Sequence, residues 1–74
     1  MFIQIGETRI NMELVTHYRG YPVNPNDPEH NDKSVIVFCG VYGRVIHKEE
    51  FTNYVSYKVV MEKLDNIVEP IKLM

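Results

Sequence analysis

The stretch Ser34-Val-Ile-Val-Phe-Cys39 carries apolar side chains at both alternating sets of positions. Successive side chains of a strand point to opposite faces. Val35, Val37 and Cys39 therefore share one face, and Ile36 and Phe38 share the other. A strand that is apolar on both faces belongs in the middle of a sheet, where both can be covered. Such a strand needs a neighbour on each side, and the rest of the chain must supply them.

The sequence offers enough partners. "CGVYGRVIH" turns around Tyr42-Gly43 and returns through Val45 and Ile46, with Gly43 free to take the positive φ of a tight hairpin. On the N-terminal side, "FIQIGETRIN" reads as a hairpin with Gly6-Glu7 as its turn. "MELVTHYRGY" is a further strand, with Leu14, Thr16 and Tyr18 on one face and Val15, His17 and Arg19 on the other; "NMEL" would also suit a helical turn. After the last strand, Thr52 or Asn53 caps a helix. Tyr54, Tyr57, Val60, Met61, Leu64, Ile67 and Val68 recur along it at three- and four-residue steps, and Pro70 ends it. The fold class is α+β: one domain over residues 1–74, with a small antiparallel sheet of four or five strands followed by one C-terminal helix.

One helix covers one face of such a sheet. Val55 and Val59 lie off the helix's main stripe, and the tail "IKLM" is apolar again. A chain of 74 residues builds a thin core. Together these features imply a homo-oligomer with Val55 and Val59 at the contact.

Between the strands lies "YPVNPNDPEHNDK", residues 21–33. Pro22, Pro25 and Pro28 remove three backbone donors and fix three φ angles, so this is neither helix nor central strand. Long connections inside small domains are uncommon and often functional.

Composition narrows the function. Cys39 is the only cysteine and the formal charge is −2. No internal disulfide is possible, and no C-x-x-C or H-E-x-x-H metal motif occurs. Nucleic-acid binders carry a basic stripe that this sequence lacks, so nucleic acid is an unlikely partner. No apolar run approaches the roughly 20 residues that span a bilayer. The reading is a soluble, cytoplasmic protein without cofactor.

Catalytic patterns are thin. Cys39 and His47 are the types of a nucleophile and its base. A turn at Tyr42-Gly43 pairs Cys39 with Ile46 and His47 with Phe38, which puts the two on opposite faces; a one-residue bulge would reverse that. Asp27, Glu29, His30 and Asp32 are ligand types, but their spacing matches no metal loop, and they read as a solvated acidic connection. "GVYG" has the spacing of a backbone-clamping G-x-x-G loop; set between strands, it reads as a hairpin turn. No assembled catalytic site is expected.

"FIQIGETRINMELVT", followed by "SVIVFCGVYGRVIH" and a terminal helix, resembles short bacterial and phage orphan proteins. These open with a hydrophobic strand, a Gly turn and an Ile-Asn return, here Ile5-Gly6 and Ile10-Asn11. The resemblance implies a β-meander with a C-terminal helix and the role of a phage or mobile-element accessory protein. It transfers no site residues, and residues 21–33 depart from it.

Two functions remain. The first is a small non-enzymatic protein-interaction module that regulates a protein partner by steric occlusion, through Tyr21, Asn26, Asp27, Glu29, His30 and Tyr42. The alternative is an oligomer that sequesters a small ligand such as a nucleotide, with Arg19, Arg44 and Lys48 on phosphate and Tyr42 stacked on the base.

Overall fold

The computed structural model describes residues 1–23 and 33–73. Asn26, Asp27, Glu29, His30 and Asp32 lie outside the described residues. The chain forms strands β1 (Phe2–Ile5), β2 (Thr8–Asn11), β3 (His17–Tyr21), β4 (Ser34–Cys39) and β5 (Val45–Phe51), then helix α1 (Tyr54–Val68). Single 3-10 turns occupy Met12–Leu14 and Val41–Gly43. All strand pairs are antiparallel, and the fold is α+β with one C-terminal helix, as the sequence implies.

The five strands form two sheets, not one: β1-β2 and β3-β4-β5. The division comes from Met12–Leu14. Asn11 caps this turn by accepting from the Glu13 N–H at 3.0 Å, and the chain changes direction before it can continue β2. The third strand therefore begins at His17, later than its apolar pattern suggests.

β4 is central, between β3 and β5. Ser34, Ile36 and Phe38 are buried, while Val35, Val37 and Cys39 are half-buried. Ile36 and Phe38 have no solvent exposure at all. Full burial of such a side chain is worth about 1.5–3 kcal/mol. The buried face of β4 meets Tyr57 and Leu64 of α1, Ile10 of β2 and Phe51 at the end of β5. Hairpin and helix thus lie on one side of the three-stranded sheet, and no described element covers the other, open side. Phe51 meets Tyr57 edge-on with ring centroids 6.1 Å apart. Ser34 is buried without loss because its Oγ accepts from the Val23 N–H at 3.0 Å, which also fixes the two ends of the connection from β3 to β4.

Asn53 caps α1, its side chain accepting from the Val55 N–H at 2.8 Å. At the other end Glu69 turns left-handed, with φ 52°, and donates its N–H to the Asp65 carbonyl. Of the expected apolar stripe, only Tyr57 and Leu64 are buried, with Val60 and Met61 half-buried; Tyr54, Ile67 and Val68 are exposed. A helix of 15 residues runs about 22 Å. It reaches past the buried face at both ends, which leaves its outer turns in solvent. Among the described residues no helix is long and apolar enough to cross a membrane.

Two contacts tie β3 to α1. A Cβ added at Gly20 would overlap the Tyr57 hydroxyl and come within 3.2 Å of the Met61 sulfur. Glycine is what lets the helix sit this close. The Tyr18 hydroxyl donates to Asp65 Oδ1 at 2.8 Å. Burial, then the hydrogen bond to Asp65 and its charge, push the Tyr18 phenol up to about 12.

Gly20→Ala is expected to destabilise the protein by about 1–3 kcal/mol, the usual range for overpacking. Adding Tyr57→Phe removes the overlapping oxygen and should recover at least half of that loss in urea unfolding. No recovery would mean that Gly20 is needed for another reason. Tyr18 makes a second prediction. A phenol raised above its ordinary value stabilises the fold fully below pH 10, and that contribution is lost as pH climbs to about 12. Absorbance titration should show a tyrosine ionising near pH 12 that Tyr18→Phe removes.

Candidate functional site

The β4–β5 turn is where the backbone does something unusual. Arg44 N–H closes it on the Val41 carbonyl at 3.3 Å. Its two central residues both have positive φ, 61° at Tyr42 and 72° at Gly43. That is the I′ pattern, whose preferred pair is Asn-Gly. Glycine takes such a conformation freely, whereas an ordinary L-residue is strained there by about 1–2 kcal/mol. Tyr42 is therefore a poor choice for the turn, and its side chain recovers nothing by packing, since it is fully exposed (102%).

Other apolar side chains gather round it. Leu14, Val41, Val45 and Ile46 are all exposed, and with Tyr42 and Arg44 they line a depression of about 520 Å³. Leu14 is held there from the far side of the fold. Thr16, two residues on, donates its N–H to the Cys39 carbonyl at 2.8 Å and its hydroxyl to the Gly40 carbonyl at 3.0 Å. The 3-10 turn is thereby fastened to the base of the β4–β5 hairpin.

The open face of the three-stranded sheet is the second feature. Arg19 on β3 and Lys48 on β5 both register on Val37 of β4, so the three side chains share one row on that face. Tyr21 registers on Val35, as does Glu50 from the other side. Lys33 Nζ pairs with Glu50 Oε2 at 3.2 Å, and Lys48 Nζ reaches its other oxygen at 4.0 Å. The Arg19 guanidinium lies 5.8 Å from the Tyr21 ring centre and donates to its hydroxyl at 3.4 Å.

The expected groupings are only partly assembled. Tyr42 and Arg44 meet at the tip, and Arg19 and Lys48 meet across Val37. The four do not form one cleft. Tyr21 and Tyr42 lie at opposite ends of β4, about 20 Å apart by strand rise. Val55 and Val59 are exposed on α1, one turn apart and away from the core. Leu14, Val41 and Val45 were not singled out by sequence, because apolar residues flanking a turn look like strand ends.

Cys39 and His47 do not meet. His47 pairs with Phe38 as expected, but Cys39 pairs with Val45, not Ile46. The irregularity falls between Phe38 and Cys39, past His47, so it leaves the two side chains on opposite faces. The His47 ring lies 6.3 Å from that of Phe38, and its Nε2 is 2.8 Å from Glu49 Oε1. Cys39 is half-buried among the open-face residues. Among the described residues no three His, Cys, Asp or Glu side chains gather to hold a metal.

No protein-family profile, no curated protein and no solved structure matches the chain.

Relieving the turn should stabilise the protein. Tyr42→Asn is expected to add about 0.5–1 kcal/mol, a rise in Tm of about 3–6 °C for a domain this small. Gly43→Ala should do the opposite by a similar amount. Calorimetry of both variants checks the assignment, and an unchanged or lowered Tm for Tyr42→Asn would contradict it.

Proposed function

We propose that this chain is a non-enzymatic protein-interaction module that grips its partner at the β4–β5 tip and acts by occluding a surface, with no covalent step. Tyr42 carries this reading. A large aromatic side chain stands fully in solvent on a backbone conformation that disfavours it. Strained positions persist where the strain serves a function. Tyrosine suits a contact surface because it buries a large area and keeps a polar end. Leu14, Val41 and Val45 supply the surrounding apolar rim, and Arg44 a charge beside it. A phage or mobile-element accessory protein acting on a host protein fits such a role. The nucleotide-sequestering alternative has less support, because its cations and its aromatic side chain are divided between the tip and the sheet face.

The test compares the wild-type chain with Tyr42→Asn and with Val41→Ser as crosslinking baits in the same extract. A specific partner should be retained by wild type and reduced at least tenfold by either variant, although Tyr42→Asn is expected to be the more stable protein. Equal retention by all three would overturn the tip as the contact.

A further inference from the structure

Resting on that interaction reading, we propose that the open face of the β3-β4-β5 sheet seats an acidic amphipathic helix of the protein partner, its apolar stripe along Val35, Val37 and Cys39 and its carboxylates between Arg19 and Lys48. The three β4 side chains form an apolar line that is half-buried, and no described element of this chain lies over it. Cations stand on both flanks, Arg19 on β3 and Lys48 on β5, level with Val37. Lys33 adds a third at one end. Glu50, the one acid registered on this face among the described residues, is held by Lys33 and Lys48. Positive charge thus collects on the open face of a chain whose formal charge is −2.

Dimensions select the occupant. Neighbouring strands lie about 4.8 Å apart, so the two cationic backbones are about 10 Å apart. That is close to the width of an α-helix with its side chains. β4 is six residues long, about 20 Å, which matches between three and four helical turns. A helix with a narrow apolar stripe flanked by Asp and Glu places hydrocarbon on the valines and charge on the cations.

A second copy of this chain fits less well. Two open faces laid together would bring Arg19 and Lys48 against their like. Placing α1 of one copy on the open face of the next would be a head-to-tail contact, which closes into a ring or runs on as a filament. Moreover, α1 mixes Lys58 and Lys63 with Glu62 and Asp65, so it lacks the acidic flanks that the cations call for. A single-stranded nucleic acid would be drawn by the charge, and Tyr21 offers one exposed ring at the end of the face, but the Val35, Val37 and Cys39 line between the cations offers its bases no stacking platform.

The experiment uses the full chain, ¹⁵N-labelled, and three probes. One is a 14-residue helical peptide with a leucine stripe flanked by glutamates, the second is the same peptide with lysines for glutamates, and the third is a ten-residue oligothymidine. The glutamate peptide should shift amides of β3, β4 and β5 around Val37 and bind at least tenfold more tightly than the lysine peptide. Arg19→Glu with Lys48→Glu should invert that order, and Tyr42→Asn should leave it unchanged. Should charge reversal disturb the fold, Arg19→Gln with Lys48→Gln should abolish the preference while the amide spectrum stays native. Equal binding of the two peptides, shifts confined to α1, or tighter binding of oligothymidine would each overturn the proposal. A partner lost with Tyr42→Asn but kept by the double glutamate variant would uphold the module and overturn the helix seat.

Discussion

Everything in this molecule is arranged around one face of β4. Ile36 and Phe38 lose all contact with water, and three separate pieces of chain converge to achieve it: the first hairpin through Ile10, the end of β5 through Phe51, and the helix through Tyr57 and Leu64. In so small a domain this cluster is nearly the whole buried core, and burial of apolar surface is the dominant favourable term in folding. The other features are consequences. Gly20 has no side chain because the helix must come down onto the sheet, and Tyr18 reaches Asp65 because the helix has done so.

Covering one side of the sheet with both hairpin and helix leaves nothing in the described chain for the other side. Val35, Val37 and Cys39 are apolar like Ile36 and Phe38, yet they are only partly buried. The surface around them is tolerated because long cationic side chains run beside it and can shield hydrocarbon with their own stems. The same arrangement makes the face selective, since it favours a partner of opposite charge.

What the sequence discloses depends on how local each determinant is. β4 is legible because apolar residues at both parities suit only a central strand. The position of its return turn is legible because Tyr42-Gly43 offers the positive φ. The helix caps are equally local, with Asn53 at one end and Pro70 beyond the other. The two-sheet division is not legible: it rests on Met12–Leu14, which suits a strand or a helical turn equally well until the third strand has been placed. The sites are a mixture. Arg19, Lys48, Tyr42 and Arg44 stand out by residue type, but their separation into a face and a tip follows from strand register. Leu14 joins the tip through the Thr16 hydrogen bonds, across more than twenty residues of chain.

The tight β4–β5 turn also sets an order of events during folding. β4 and β5 are adjacent in sequence and close a loop of a few residues. β3 must find β4 across residues 22–33, and the entropy of closing a loop grows with its length. The β4–β5 hairpin is therefore the cheaper contact to make first, with β3 and the helix condensing on it afterwards. Backbone strain at Tyr42 is then already present when this hairpin forms. Strain that is already present in the folding transition state slows folding more than it hastens unfolding. Strain at the exposed tip thus weighs on forming this hairpin, while the contacts that close over Ile36 and Phe38 hold the folded state together.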